Sequence, residues 1–324
     1  HADFEIITSA SLGVALYPDD GEDRETLMRN ADLAMYKAKT DPLHRIQHYE
    51  HALGEAVRQR RELAQDLRRA LELDQLKMHY QPQIDLKTGE VCGYEALVRW
   101  PHPVRGMVSP AEFIPLAEAN GLIGRLGDWV LETTCEEVAR WPGSPKVAIN
   151  LSAIQLNDPH LVGKVLQAMV STGLSASQLE IELTETALIH DLRQSLSVLR
   201  RIKALGVSMA LDDFGTGYSA LETLRQFPFD KIKLDKGFTD GLSDGGRSRA
   251  VISAVVTLAR NLGVPVLAEG VETADQLELL NMVGCEQAQG YLIGRPAPGE
   301  NGAPPAVQDV MWRPADPAAT QTGT

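Results

Sequence analysis

From Leu76 onward the chain alternates short apolar runs with stretches whose apolar residues recur at helical spacing. The first two runs, residues 76–86 and 91–100, are separated only by Lys87-Thr88-Gly89-Glu90, a hairpin-type turn that predicts an antiparallel pair. Six more strand candidates follow, each after a helical stretch, at residues 146–152, 179–186, 207–214, 231–236, 264–271 and 288–293. Eight strands with intervening helices predict an α/β fold, a modified (β/α)8 TIM-like barrel whose first strand is antiparallel. Residues 1–49 have a different texture: a strand pair at 4–8 and 11–17, a Pro18-Asp19-Asp20-Gly21 turn, and a helix through Leu27, Ala31, Ala34 and Ala38. That is a short α+β fragment, too small to be a domain. Residues 50–73 are highly charged, and Leu53, Ala56, Val57, Leu63, Leu67, Ala70 and Leu71 fall at helical spacing, which predicts one amphipathic connecting helix. Residues 297–324 are dominated by Pro, Ala, Gly, Asn and Thr with Trp312 as the main apolar anchor, and read as a mostly disordered tail.

The whole-chain numbers narrow the function. At 324 residues and 44% hydrophobic content there is material for one large core plus a smaller piece. No apolar run approaches the roughly 20 residues a membrane helix needs, so no membrane contact is expected. A net charge of −13 opposes generic binding to a DNA or RNA backbone, so a phosphate ligand would need local cations. Cys92, Cys135 and Cys285 are widely spaced and lack any CxxC or Cys/His pattern, which fits a reducing, cytoplasmic setting and buried small hydrophobes.

In a barrel of this kind functional groups collect at the C-terminal ends of the strands. Those ends are unusually polar here: Glu95 and Arg99, Asn150, Glu182 and Glu185, Asp212 and Asp213, Lys233 and Asp235, Glu269 and Glu272, and Gln289. Several inward-facing carboxylates without partners are costly, and a pair of divalent cations would compensate them. Hard oxygen donors select Mg²⁺ or Mn²⁺, and the absence of His at these ends disfavours zinc. Two such ions sharing a carboxylate, with Asp212 the natural bridge, suit in-line displacement at a phosphate ester. A lysine beside them, Lys233, is expected to hold or deprotonate the attacking water, its pKa lowered by the cations. Arg99 is placed for a phosphate contact. Plainer readings stand beside these. Asp212-Asp213-Phe214-Gly215-Thr216-Gly217 has the composition of a surface turn, the glutamates could be salt-bridged barrel residues, and Lys233 could be a Schiff-base lysine.

An ordered set of motifs carries a resemblance: Tyr80-Gln81-Pro82, Glu95-Ala96-Leu97 within residues 93–100, Ile149-Asn150-Leu151-Ser152, Glu182-Leu183-Thr184-Glu185, the 212–218 loop, Lys231-Ile232-Lys233-Leu234-Asp235, Ala268-Glu269-Gly270-Val271-Glu272 and Gln289-Gly290-Tyr291-Leu292. Over residues 63–296 the chain resembles the EAL-domain cyclic-di-GMP phosphodiesterases. The resemblance implies hydrolysis of cyclic-di-GMP to linear pGpG in bacterial signalling, two Mg²⁺ or Mn²⁺ ions per site, and a homodimer. It implies that Glu95, Asn150, Glu182, Asp212, Asp213 and Glu269 are metal ligands and that Lys233 handles the water. Glu269 and Gln289 would complete the metal and water network, and Glu185 would brace the loop that starts at Asp212. Substrate contacts are expected from Arg99, Gln81, Leu97, Asp235 and Gln289. Gly215 and Gly217 are expected to form a hinge coupling dimerisation to metal occupancy. Ala220 stands where many members carry Ser. Ser11-Leu12-Gly13-Val14-Ala15 and residues 31–39 resemble the closing segments of a GGDEF diguanylate-cyclase domain without its signature, so no cyclase activity is expected and the chain reads as part of a larger tandem signalling protein. The other reading of the same barrel is a receptor or scaffold that binds cyclic-di-GMP without cutting it.

Overall fold

The computed structural model describes residues 10–40, 44–188, 192–215, 220–244, 246–305 and 307. The chain divides into two compact units, His1–Ala70 and Leu71–Thr324. In the first, strand Leu12–Val14 runs parallel to strand Ile46–His48, with helix Arg24–Thr40 between them in sequence. The strand pair expected at residues 4–8 and 11–17 falls partly outside the described residues, since 4–8 are not among them; the partner strand Ile46–His48 was not foreseen from sequence. A three-residue strand of Ile, Gln and His carries too little alternation to be recognised. Helix His51–Glu72 follows.

The second unit holds eight barrel strands: β1 (Lys77–Asp85), β2 (Val91–His102), β3 (Val147–Asn150), β4 (Leu179–Thr184), β5 (Ser208–Phe214), β6 (Lys231–Leu234), β7 (Val266–Ala268) and β8 (Gln287–Gln289). Strands β2 to β8 pair in parallel in chain order, and β1 closes the barrel by pairing antiparallel with both β2 and β8. The antiparallel start follows from the tight turn after β1, where Asp85 Oδ1 accepts from the backbone N–H of Lys87 and Thr88. A short strand Gly106–Val108, not foreseen from sequence, folds back on the end of β2.

Strand alternation explains the core. Leu179, Ile181 and Leu183 on β4, Met209 and Leu211 on β5, and Ile232 and Leu234 on β6 are almost fully buried. Between them come the polar members Glu180, Glu182, Lys231 and Lys233, also buried, which bond to one another and so share the opposite, inward face. The barrel's packing energy therefore lies outside the strands, and its lumen is polar. The helices that cover it are α1 (Pro110–Ala119), α2 (Ile123–Val138), α3 (Leu161–Thr172), α4 (Leu192–Lys203), α5 (Ala220–Gln226), α6 (Lys236–Asp240), α7 (Arg247–Leu262) and α8 (Ala274–Val283). Helix α8 begins with a capping box: Thr273 Oγ1 accepts from Gln276 N–H at 3.2 Å, while Gln276 Oε1 accepts from the N–H of Thr273 at 3.0 Å and of Glu272 at 2.8 Å. That amide pins the segment after β7, which carries Glu269.

The stretch assigned to a disordered tail opens with ordered backbone. Ala297 exchanges both backbone hydrogen bonds with Tyr80, and Glu300 bridges to Ala303. Trp312 lies outside the described residues.

Candidate active site

The polar strand ends converge on Lys233. This side chain is fully buried, and its Nζ lies 2.6 Å from Glu182 Oε2, 2.7 Å from Glu269 Oε1, 3.2 Å from Asp212 Oδ2 and 3.7 Å from Glu95 Oε2. Four carboxylates from β2, β4, β5 and the end of β7 thus surround one ammonium. Glu95 is held on both oxygens, Oε1 accepting from Asn150 Nδ2 at 2.7 Å and Oε2 from Gln289 Nε2 at 2.6 Å. Gln289 Nε2 also reaches Gln81 Oε1 at 3.1 Å, and Gln81 Nε2 donates to the Gly294 carbonyl at 3.0 Å.

Local backbone features bring these groups together. The pairing of β5 with β6 shifts register between Leu211 and Phe214, and Asp213 within that shift takes a left-handed φ of 54°. The irregularity breaks strict alternation, so neighbouring acids need not point to opposite faces. Asp213 N–H donates to Asp212 Oδ1 at 2.9 Å. Gly215 follows with φ 93°, and a Cβ there would stand 2.8 Å from Phe238 Cζ, so the loop leaves the strand over the α6 ring only because residue 215 has no side chain. The remaining members of that loop, including Gly217, lie outside the described residues.

Electrostatics follow from burial and crowding. Desolvation alone would pull the Lys233 pKa down, but Glu182, Glu269, Glu95 and Asp212 overcome it and hold the ammonium well above its usual range. That direction belongs to the metal-free chain, in which the neighbours of Lys233 are anions; the lowered pKa is expected beside bound cations. Burial, then the charges of Glu95, Asp212 and Glu180, push Glu182 well above the ordinary carboxylate range against the pull of Lys233. Burial likewise drives Glu269 up to about 7, Lys233 opposing and Asp212 and Glu95 adding. For Glu95, burial is outweighed by Lys233 and by the Gln289 and Asn150 donors, and its pKa falls. Asp213 is raised by burial, then by Asp212 and Asp235. A pH prediction results for the metal-free chain. A raised Glu269 binds more protons folded than unfolded between its ordinary value near 4.5 and about 7, so stability falls as pH rises through that window and levels off above it. The slope is at most about 1.4 kcal/mol per pH unit. Urea denaturation at several pH values in chelator checks it; stability that rises from pH 5 to 7 contradicts it.

The donor set can be tested for cations. Among the described residues no three acidic, imidazole or thiol side chains are already drawn into a closed metal cage, because the Lys233 ammonium sits among the acids. Yet one ammonium faces four carboxylates, and Glu182 Oε1 is buried with no hydrogen-bond partner. A buried acceptor of this kind costs about 1–3 kcal/mol, more if charged, and hard cations would satisfy it. The residues fit Mg²⁺ or Mn²⁺.

Gln81, Glu95, Leu97, Asp212, Glu269 and Gln289 line a cavity of about 270 Å³. Leu97 and Asn150 also line an adjoining, more apolar cavity of about 580 Å³, together with Arg99. Arg99 is half-buried and donates to its neighbour Val98 O at 3.0 Å. Asp235 lies off both cavities and caps α6, accepting from Gly237 N–H at 2.9 Å. Glu185 is buried at the start of the 3-10 turn Glu185–Leu188, directly after β4, whose Thr184 is in register with Asp212. Sequence reasoning passed over Gln83, Glu180 and Lys231, which lie one inward position below Gln81, Glu182 and Lys233. The signal was present as an i, i+2 repeat of polar residues on three strands.

The closed α/β barrel with a carboxylate-rich mouth built around one lysine defines the class, and comparison with known proteins gives the family. The EAL domain model matches residues 64–296, and the chain belongs to the EAL family. The diguanylate cyclase GGDEF domain model matches residues 1–45. A bifunctional diguanylate cyclase/cyclic di-GMP phosphodiesterase, MucR of Pseudomonas aeruginosa, is 42% identical over 91% of this chain and 44% of its own length. An uncharacterized signaling protein of Caulobacter vibrioides is 51% identical over 91% of this chain and 36% of its own length. The cyclic di-GMP phosphodiesterase NbdA of Pseudomonas aeruginosa is 42% identical over 90% of this chain and 38% of its own length. The chain therefore spans less than half the length of these relatives. Among solved structures, the MucR phosphodiesterase in complex with c-di-GMP superposes with a TM-score of 0.71 at 42% identity, covering 74% of this chain and 98% of that one. Among the described residues no helix is long and apolar enough to cross a membrane.

Proposed function

We propose that this chain hydrolyses one 3′–5′ phosphodiester bond of cyclic-di-GMP to give linear pGpG. Two Mg²⁺ or Mn²⁺ ions would be held by Glu95, Asn150, Glu182, Asp212, Asp213 and Glu269. The observation that carries the reading is the buried, donorless Glu182 Oε1 within a cluster of four carboxylates and one ammonium. When bound, such ions activate water and offset the phosphate's charge. The chain's own groups supply the rest. Lys233 has three N–H donors, here facing Glu182, Glu269 and Asp212, and one of them would orient the attacking water once those acids turn to bound cations. Glu269, whose Oε1 lies 2.7 Å from Lys233 Nζ, takes the water proton. The water oxygen bonds to phosphorus, the P–O3′ bond breaks, and the departing O3′ takes a proton from solvent to leave as a hydroxyl. Arg99, Gln81, Leu97 and Asp235 contact substrate, and the apolar cavity beside Arg99 has the lining to take a base. Glu185 braces the loop after Asp212, and Gly215 and Gly217 couple that loop to a homodimer contact in the cytoplasm.

Incubation of the metal-loaded chain with cyclic-di-GMP, with product identified by chromatography, should release pGpG and stop on chelation. Binding of cyclic-di-GMP without turnover at saturating metal would replace this reading with that of a receptor.

A further inference from the structure

Below the Lys233 cluster lies a second buried ion pair that the proposed chemistry leaves unused. Lys231 Nζ is 2.6 Å from Glu180 Oε1 and donates to Gln83 Oε1 at 3.0 Å. Gln83 Nε2 donates to Gln289 Oε1 at 2.9 Å, and Gln289 Nε2 donates upward to Glu95 Oε2 at 2.6 Å and Gln81 Oε1 at 3.1 Å. Glu180, Gln83, Lys231 and Gln289 are each less than a tenth exposed. No solvent is needed to complete the chain, and its members come from β4, β6, β1 and β8.

The direction of the bonds in this chain is set from both ends, by a donor-only ammonium below and an acceptor-only carboxylate above, and the two ends agree. An ammonium only donates, whereas a primary amide can present either its oxygen or its nitrogen to a neighbour. Lys231 therefore forces Gln83 to turn its oxygen down, which leaves its nitrogen facing Gln289. Gln289 must answer with its oxygen, and its own nitrogen is left facing Glu95. Reversal of either amide would set oxygen against oxygen in a buried site, where an unmade bond costs the full desolvation of the group. Glu180 closes the lower end by holding Lys231 in place.

We infer that Glu180, Lys231 and Gln83 are positioning residues that fix the polarity of the Gln289 amide and thereby aim a donor at Glu95. The inference rests on the metal-dependent reading above, since Glu95 is there a metal ligand. The Glu95 carboxylate would be fixed by Asn150 on one oxygen and, through this chain, by Lys231 on the other.

Two substitutions at one position separate polarity from packing. Gln83→Glu keeps the shape and still accepts from Lys231, but its second oxygen now demands a donor from Gln289 and turns that amide's oxygen toward Glu95. Gln83→Met removes both bonds without imposing a direction. Titration of Mn²⁺ alone into metal-stripped full chain is expected to show affinity at least about tenfold weaker for Gln83→Glu and about threefold weaker or less for Gln83→Met. For cyclic-di-GMP hydrolysis, kcat should fall in the same order while KM stays within about twofold of wild type. Equal losses in the two variants, or losses that simply follow melting temperature, overturn the inference. If Gln83→Glu does not fold, the double variant Lys231→Met with Glu180→Gln removes the donor-only end together with its counter-charge, and Mn²⁺ affinity should again drop; wild-type affinity there overturns the inference. If wild-type chain binds Mn²⁺ but cuts nothing, the hydrolase reading fails, and the ranking of the Gln83 variants for Mn²⁺ still decides the inference.

Discussion

Lys233→Met is expected to lower kcat for cyclic-di-GMP by about 10²–10⁴-fold while Mn²⁺ affinity holds or rises. The first part follows from the loss of the donors that orient the water. The second follows from charge. Glu182, Glu269, Asp212 and Glu95 all lie within 3.7 Å of the one ammonium, so removing it leaves their repulsion to be offset by bound cations alone. Breaking a buried pair from one side costs about 3–5 kcal/mol, so the metal-free variant should melt well below wild type. Saturating Mn²⁺ should then raise its melting temperature by more than it raises that of wild type. Thermal denaturation with and without Mn²⁺, beside steady-state kinetics, checks both halves. A variant that loses Mn²⁺ affinity would show that Lys233 builds the metal site and does not merely work beside it.

Glu95→Ala should behave in the opposite sense. Glu95 accepts from Asn150 at 2.7 Å and from the buried Gln289 at 2.6 Å, and the substitution removes that acceptor from both amides. Mn²⁺ affinity should fall by more than the roughly 10–100-fold that loss of a supporting partner costs, and turnover should become undetectable. Lys233 would still be compensated by three acids, so the metal-free melting temperature should drop less than in Lys233→Met. Calorimetric titration of Mn²⁺ into the two variants gives the contrast directly. Wild-type affinity in Glu95→Ala would remove this residue from the ligand set.

The barrel was legible in the sequence because its strands are apolar on the outward face and each ends in a polar residue. Glu95, Glu182, Asp212 and Lys233 stood out because a charge that interrupts an apolar strand must be answered by something, and at the C-terminal mouth these groups answer one another. The parts that escaped were of two kinds. Ile46–His48 and Gly106–Val108 are each three residues long, too short for alternation to register. Glu180, Lys231 and Gln83 were passed over because they lie away from the barrel's mouth, where a polar side chain looks like solvent-facing alternation until the barrel closes and turns that face inward. Asp213 shows the limit of strand geometry: a left-handed φ of 54° at a non-glycine residue is a property of the register shift beside it.

The reversed first strand has a mechanical consequence. Because β1 runs against its neighbours, its first residue, Lys77, pairs with Arg99 at the mouth of the barrel, and Gln81 follows two pleats later, opposite Glu95. In a barrel of uniformly parallel strands the chain would enter at the far rim and cross the full lumen before touching the reacting groups. Here the polypeptide arrives at the working end. A tug or twist on residues 72–76 is delivered to the groups around Glu95 over four or five peptide units, and the shortest lever on the site is the backbone that leads into it.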